Sequence, residues 1–358
     1  MRLTQRSRRW LVPLAAVALV GSAGTLGPVV ADAAPDLPDI TAQQLLTNVQ
    51  TAKVDGLSGT VHTSVDLGIP AFPGLNDSSR FTDLLSGEHT IRVAFAKPDK
   101  ARVAVLDQMA ERVLVTDGTT AWSYDSAAHE ATKLAVPDHP SRPGPAPAEA
   151  ANPQELAKRF LDAIDPSTQV TVTGTRSVAG RDAYLLTLTP RTDRTLVGSV
   201  TLAVDAHQWV PLRVTVLPRS GDRAAIDVGF TDISFDVPDA SVFAFTPPPG
   251  TKVETKSAPD EPSFPRTRPG LPEREPSGQQ DAPRVVGNGW DAVVVGHWDP
   301  AADRAMVGRV LAGMPRVSGS WGSGTAVTTR LVSVLLTDDG RVLAGMVPVS
   351  VLEQAAAR

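Results

Sequence analysis

The chain has 358 residues, of which 42% are hydrophobic and 20% charged, and it contains 31 Pro, 28 Gly and no Cys. This length suits about two domains, and the apolar fraction is large enough for a buried core, which excludes wholesale disorder. The absence of Cys excludes disulfides, thiolate metal sites and a lipid-modified N-terminal Cys. The formal charge of −5 and the aromatic content of 5% argue against a nucleic-acid-binding protein.

The first residues have the composition of an export signal. Several arginines within residues 1–9 precede an uncharged stretch over residues 10–31, and Ala31-Asp32-Ala33 then offers small residues for cleavage. This order predicts a signal peptide over residues 1–33, cleaved after Ala33, and hence a secreted or extracytoplasmic protein. The pair Arg8-Arg9 leaves a twin-arginine signal open, and the length of the uncharged stretch leaves an uncleaved membrane anchor open.

The body of the chain begins with a predicted helix. Thr41 and Gln44 fit a capping box, and apolar residues recur after them at helical spacing. Alternation of apolar and polar residues then predicts a run of strands joined by short turns, with a hairpin at Asp117-Gly118. The predicted strands are 57–67, 90–96, 102–106, 112–116, 120–125 and 131–135.

A proline-rich segment, 137–153, separates these strands from a second predicted helix. Asn152 suits the N-cap position and Pro153 the first helical position of a helix over 152–164. The most regular alternation of the chain follows, between residues 184 and 230. At Thr231-Asp232 the apolar phase slips by one residue, which predicts a β-bulge that bends the sheet.

Many strands with only two helices predict an α+β fold built on a strongly curved antiparallel β-sheet, with helices over its concave face. One face of the strands carries mainly Thr, Ser, Asp and Arg and is expected to meet water, whereas the other face is aliphatic. A bent sheet must cover its concave side with its own helices or with an apolar ligand. The pattern alone leaves both alternatives open.

A second Pro-rich run, 247–284, contains hardly any apolar residues and is predicted to be a disordered linker. It separates a main domain, about 38–246, from a small C-terminal α/β module over 285–358. In the module we predict strands at 290–296, 326–336 and 341–347, helices at 301–313 and 350–357, and a flexible glycine-rich loop over 318–324. With about 70 residues its core is small, so docking on the main domain is one alternative to independent folding.

No catalytic or metal-binding constellation stands out in the sequence. None of the six His residues is spaced from another as a metal ligand on a helix. Gly287–Ala292 has the letters of a dinucleotide-binding loop, but a strand rather than a helix is predicted to follow. Asp338-Asp339-Gly340 suits a hairpin turn better than a calcium site. We therefore predict no enzyme activity, no cofactor and no metal.

Several short motifs between about residues 40 and 250 resemble LolA-type lipoprotein-carrier domains. The motifs are Gly56–Val61, Ala121–Asp125, Val178–Tyr184, Ala203–Asp205 with Val210–Arg213, and Phe243–Gly250. The wider superfamily includes LolB, the sigma-factor regulator RseB (MucB) and mycobacterial lipid carriers of the LprG and LppX type. The chain is most similar to actinobacterial secreted members. This resemblance implies an unclosed half-barrel whose apolar cavity takes acyl chains.

Together, the pattern and the resemblance predict an extracytoplasmic, non-catalytic protein that binds a lipid or a lipoprotein acyl chain. The predicted lining residues, all aliphatic, are Leu186, Leu188, Val200, Leu202, Val204, Leu212, Val214, Ile226 and Val228. The alternative is an RseB/MucB-like regulator that binds a membrane anti-sigma factor in envelope-stress signalling. In a cell with one membrane, delivery of lipoproteins to an outer membrane would have no destination, so the carrier role does not follow from the resemblance.

Overall fold

The computed structural model describes residues 34–68, 87–107, 109–135, 167–257, 283–297 and 314–358. These residues form two β-sheets with two α-helices and two 3₁₀ helices. The predicted signal peptide, the predicted helices 152–164 and 301–313 and the whole proline-rich segment 137–153 lie outside them, as does most of the predicted linker. Within the described ranges, no helix has both the length and the apolar character needed to cross a bilayer.

The larger sheet has twelve strands in the order β12-β6-β5-β4-β3-β2-β1-β11-β10-β9-β8-β7. Neighbouring strands are antiparallel except β12 and β6, which are parallel. Because β7 and β12 are the two ends of this order, the sheet is not closed into a barrel. The strands are β1 (Gly56–Val65), β2 (Gly87–Ala96), β3 (Lys100–Asp107), β4 (Ala110–Thr116), β5 (Thr120–Asp125), β6 (Glu130–Ala135), β7 (Thr168–Val178), β8 (Arg181–Pro190), β9 (Val197–Asp205), β10 (Pro211–Pro218), β11 (Ile226–Ser234) and β12 (Lys252–Ser257).

The part of this sheet from β7 to β11 is strongly curved. In a flat sheet the two outer strands of five neighbours lie about 19 Å apart, whereas Cα atoms of β7 and β11 come within 8 Å of each other. Breaks in register contribute to this curvature. Opposite Thr60 and Val61 of β1, the register shifts and leaves Thr231 of β11 without a partner, which confirms the predicted β-bulge.

Helix α1 (Ala42–Thr51) packs on one face of the curved strands. The predicted capping box is confirmed, since the Thr41 hydroxyl accepts from the Gln44 N–H at 3.2 Å and the Gln44 side-chain oxygen accepts from the Thr41 N–H at 3.0 Å. Leu45 and Leu46 of the helix are buried. They form one cluster with the buried side chains Tyr184, Leu186 and Val204 of β8 and β9.

A separate core lies against β2 to β6. A 3₁₀ helix, Ala240–Phe243, places the Phe243 side chain in a cluster with Ala104 and Val113, and Phe243 is only 2% exposed. The ring of Phe245 lies 5.7 Å from the ring of Trp122, measured between centroids. Ala104 and Val113 are direct cross-strand partners, so their side chains lie on the same face of the sheet. Their chain neighbours Val105 and Arg112, which are also partners, lie on the opposite face, which is the one that α1 covers.

The second sheet belongs to the C-terminal module and has the order β13-β14-β18-β17-β16-β15. Its strands are β13 (Arg284–Val286), β14 (Val293–His297), β15 (Arg316–Gly319), β16 (Gly322–Thr328), β17 (Ser333–Thr337) and β18 (Arg341–Gly345). Helix α2 (Val349–Ala356) closes its core by packing Val351 and Leu352 against Leu335 and Leu343. All pairings in this sheet are antiparallel, so the described part of the module is α+β rather than the predicted α/β.

Three predictions for the C-terminal half differ from the structure. The single strand predicted over 326–336 is wrong, because the chain turns at Thr329, whose N–H donates to the carbonyl of Val332, between β16 and β17. The segment 318–324, predicted to be a flexible loop, is the hairpin of β15 and β16. Strand β12 lies within the range predicted as linker. Pairing with β6 satisfies the backbone groups on one side of β12, even though the side chains of residues 252–256 stay exposed.

Candidate functional site

Strand register places most of the predicted lining residues on the face that α1 covers, which we call the α1 face. Directly opposed residues on neighbouring strands share a face of the sheet, so each chain of cross-strand partners forms one row. Row one is Leu186, Leu202, Val214 and Val228. Row two is Leu188, Val200, Val216 and Ile226. The aliphatic face predicted between residues 184 and 230 is therefore continuous over four strands.

Helix α1 covers one end of these rows. Leu186 is 2% exposed and Val204 is 1% exposed, and both contact the leucines of α1. Leu188 and Leu202 pack at the border of the same cluster and stay half-buried. Leu188 and Leu202 therefore stay partly accessible on this face, whereas Leu186 and Val204 anchor the helix.

Leu212 lies outside both rows. The register shifts between Pro211 and Arg213, and this shift leaves Leu212 without a direct partner on β9. Its side chain is 1% exposed and packs with Val178 and Ala183 in a different cluster. Simple alternation assigns Leu212 to the aliphatic face, but the irregularity in β10 breaks that alternation.

The C-terminal module packs against row two. Val200 and Ile226 pack with Trp290, Leu331 and Met346 of the module in one cluster. The indole N–H of Trp290 donates to the Thr168 hydroxyl at the start of β7, with a distance of 2.7 Å between nitrogen and oxygen. The module is thus docked on the larger sheet. Val214 and Val228 of row one are direct partners of each other and belong to neither of these two clusters.

The α1 face continues on β1 to β4 with aliphatic residues that the sequence analysis did not select. Thr63 is the partner of Val228 and carries the face from β11 onto β1. Further along β1, Gly59 opposes Val93, which opposes Val103, which opposes Leu114. Val93 and Val103 are half-buried, and Leu114 is 60% exposed. We call Val93, Val103 and Leu114 the β2–β4 row.

The reason that sequence analysis missed the β2–β4 row is visible in the sequence of β4. Val113, Leu114 and Val115 are three consecutive apolar residues. Val113 and Val115 face the core around Phe243, whereas Leu114 lies on the other face of the strand. A strand that is apolar on both faces shows no alternation from which a single binding face can be inferred. The alternation between residues 184 and 230 was the stronger signal.

Polar groups border the apolar rows on β1 to β4. Thr63 is 4% exposed, and its partner on β2 is His89. The imidazole Nδ1 of His89 lies 3.6 Å from a carboxylate oxygen of Asp107, and the Arg112 guanidinium donates to the other Asp107 oxygen at 2.8 Å. An apolar chain bound on this face would therefore pass beside a hydrogen-bonding group rather than over an unbroken apolar surface.

A fully buried carboxylate, Asp205, holds the turn after β9. It accepts hydrogen bonds from Arg181 and from the backbone N–H groups of His207 and Gln208, the last two at 2.8 and 2.6 Å. Burial by itself would raise the pKa of Asp205, but the hydrogen bonds from Arg181 and from the backbone outweigh it and lower the pKa below its ordinary value of 3.8. This charged pair stabilises the sheet and is not part of the α1 face.

Comparison with known proteins gives similarities of fold only. The solved complex of MucA and MucB from Pseudomonas aeruginosa is 17% identical at a TM-score of 0.42, and the match covers 88% of this chain and 96% of that chain. A conserved protein from Thermus thermophilus is 14% identical at a TM-score of 0.34, over 60% of this chain and 99% of that chain. A LolA superfamily protein from Nitrosomonas europaea is 12% identical at a TM-score of 0.22, over 58% and 99% of the two chains.

MucB and the LolA superfamily are the groups that the sequence motifs resemble. No model of a known protein family matches the sequence, and no curated protein matches it. The TM-scores are too low to carry an argument about function. The functional conclusion therefore depends on the α1 face itself.

Proposed function

We propose that the protein is an extracytoplasmic, non-catalytic protein that binds the acyl chain of a lipid or lipoprotein against the α1 face. The observation that supports this most directly is the β2–β4 row. Its three aliphatic side chains share one face, and none of them belongs to a buried cluster formed by the described residues. Connected aliphatic surface of this kind on a soluble domain marks an interaction site.

The proposed ligand contacts are the accessible members of the α1 face. They comprise the half-buried residues of rows one and two (Leu188, Val200, Leu202, Val214 and Ile226) together with Val93, Val103 and Leu114. Leu186, Val204 and Leu212 support the walls instead, because they are already buried by the protein's own side chains. Export of the protein would follow from the predicted signal peptide.

The expected affinity follows from the apolar area. About fourteen buried methylenes contribute about 11 kcal/mol at about 0.8 kcal/mol each. The loss of translational and rotational freedom costs at least about 4 kcal/mol. The remaining value is at most about 7 kcal/mol, which corresponds to a dissociation constant on the order of 10 μM or weaker. A long-chain fatty acid is therefore a suitable probe.

The experiment is a titration with a fluorescent long-chain fatty acid, combined with native mass spectrometry of protein purified from its own host. Leu114→Asp is expected to weaken binding at least about tenfold, because it places a carboxylate against the apolar chain. Val237→Asp is the matched control, since Val237 is 61% exposed and Leu114 is 60% exposed, and Val237 lies on no strand of the α1 face. Absence of fatty-acid uptake by the wild type, with bare protein in every native spectrum, would refute the proposal.

The second candidate is a regulator that binds the outer domain of a membrane anti-sigma factor. The observation that favours it is β12, which forms one edge of the larger sheet. An edge strand offers unpaired backbone groups to which an extended peptide can add as a further strand. Co-purification under envelope stress tests this candidate, and recovery of no membrane-anchored partner would count against it.

A further inference from the structure

The sheet of the C-terminal module has a second apolar face, opposite to the one on which α2 packs. We call it the outer face. Its side chains form two rows of cross-strand partners. Row three is Val285, Val294, Ala344, Val334 and Val327. Row four is Gly296, Val342, Leu336, Thr325 and Arg316. None of the apolar side chains in these rows joins a buried cluster formed by the described residues.

The strand order requires the chain to cross this sheet between β14 and β15. These strands lie four positions apart, and each of the four intervening pairs is antiparallel, so β14 and β15 run parallel to each other. A connection between parallel strands has to return across one face of the sheet. Residues 298–313, which lie outside the described residues, make this connection.

The crossing distance matches the length of the helix that the sequence predicts over 301–313. Four strand spacings of about 4.8 Å add up to about 19 Å. A helix over 301–313 is about 20 Å long at about 1.5 Å per residue. Met306, Val307 and Val310 recur at helical spacing, and Asp299-Pro300 supplies a helix-start signal just before them. An amphipathic helix of this length therefore reaches from β14 to β15.

Helix α2 occupies the other face. It packs on Leu335 and Leu343, which belong to the two strands β17 and β18 that the connection has to cross. A second helix over the same two strands would compete with α2 for these side chains. Occupancy by α2 therefore favours a crossing on the outer face.

The handedness of the crossing leads to the same face. The Gly340 N–H donates to the Thr337 carbonyl at 3.1 Å, so the backbone groups of Thr337, and by alternation those of Leu335, point towards β18. For L-residues this places β18 to the right of β17, viewed from the side of α2 with β17 running upward. In that view β14 lies on the right, β15 lies on the left and both run upward. A connection from right to left is then right-handed, as in about 98% of such crossovers, only when it passes over the outer face.

Burial on the outer face agrees with this path. Thr325 in row four is 6% exposed, whereas Val294 and Val285, in row three at the far edge of the sheet, are 42% and 54% exposed. The connection starts after His297, which directly follows the row-four residue Gly296. A segment that runs from there to β15 covers row four and leaves the corner formed by Val285 and Val294 open.

We propose that residues 301–313 are the occupant of the outer face and form an amphipathic helix whose apolar side packs across row four. The sheet of the module then lies between two helical layers, with α2 on one face and residues 301–313 on the other. This inference does not depend on the proposed function.

The test is the labelling rate of single cysteines in the full chain, which contains no Cys of its own. Leu336→Cys is expected to react with N-ethylmaleimide at least about tenfold more slowly than Val294→Cys, because a covered position reacts only after local opening. Adding Val310→Asp, which places a charge on the apolar side of the helix, should remove this protection. Ala312→Asp is the matched control, since position 312 lies on nearly the opposite side of the same helix.

Three outcomes would overturn the proposal. Equal labelling rates of Leu336→Cys and Val294→Cys would show that row four is open. Equal effects of Val310→Asp and Ala312→Asp would show that no apolar side of the segment faces the sheet. Protection that disappears on dilution of the protein would identify a second copy of the chain as the occupant.

Crosslinking decides the question if Val310→Asp disrupts the module. Hydrogen exchange of the Leu196 amide, which donates to the Met346 carbonyl at 2.8 Å, reports whether the module is still docked in that variant. In the otherwise unchanged chain, a short bis-maleimide should join Met306→Cys to Leu336→Cys but not Met306→Cys to Val285→Cys. Failure to join the first pair, or equal yields for both pairs, would refute the proposed path.

Discussion

Replacement of Asp205 by Asn tests how the buried turn after β9 is stabilised. The N–H groups of His207 and Gln208 both donate to the same oxygen of Asp205. An Asn side chain keeps one oxygen that can accept both of these hydrogen bonds. It loses the charge-assisted hydrogen bonds from Arg181. Such bonds contribute about 1.5–3 kcal/mol, and the Arg181 side chain is 29% exposed, so water partly compensates it after the change. We expect the free energy of unfolding to fall by about 2 kcal/mol.

The pH dependence of this difference follows from the lowered pKa of Asp205. Because the folded protein holds this carboxylate below its ordinary pKa of 3.8, the pair stabilises the protein fully above that value. The stabilisation is lost as the pH falls through the lower pKa of the folded state. The difference between wild type and Asp205→Asn is therefore expected to be constant from neutral pH down to the ordinary pKa and to shrink below it.

Urea denaturation followed by tryptophan fluorescence measures both effects, since Trp209 lies directly after the turn. Asp239→Asn is the control. The Asp239 carboxylate also accepts from a backbone N–H, that of Ser241, and has a lowered pKa, but it is exposed and no arginine of the described residues pairs with it. It should therefore change stability less than Asp205→Asn. Equal unfolding free energies of wild type and Asp205→Asn at neutral pH would refute the reasoning.

Three further substitutions probe the elements that bound the α1 face. Trp290→Phe keeps an aromatic ring in the cluster but removes the hydrogen bond to the start of β7 and part of the buried ring volume, so urea denaturation should report a loss of at least about 1 kcal/mol. Unchanged stability would exclude a contribution from this bond. Arg330→Ala removes the guanidinium contacts that hold the module to the end of β1 and to the segment before β11. It should accelerate hydrogen exchange of the Leu196 amide, whereas unaltered exchange would show that the apolar cluster and the backbone bonds suffice. Thr41→Ala should destabilise α1 by about 1 kcal/mol in thermal unfolding. Thr47→Ala, in the same helix, should not, and equal losses would contradict the capping assignment.

Local sequence patterns predicted the elements of the larger sheet well. The strand predicted over 120–125 is β5 at its exact bounds, and the phase slip at Thr231 corresponds to an observed bulge. These predictions succeed because alternation and capping depend on residues that are close in sequence. The turn at Thr329 was missed because apolar residues on both sides of it read as one continuous strand.

The candidate site could be predicted only in part. Leu188, Leu202 and Val214 lie on the α1 face as the alternation predicts, because β8 to β10 are apolar mainly on that face. Alternation shows which residues share a face, but it does not show which of them are covered by another element. Leu186 and Leu202 are direct partners, yet only Leu186 is fully covered by α1.

The sequence by itself determined the helix start at Thr41, most strands of the larger sheet and the position of the bulge, since each depends on interactions within a few residues. Only the tertiary structure decided that Leu114 joins the face of Val214 and that Leu331 meets Val200. Both relations depend on strand register and on docking between segments at least one hundred residues apart. Such contacts arise from burial of apolar surface, which is not directional, so their partners are selected by shape once the sheet has formed.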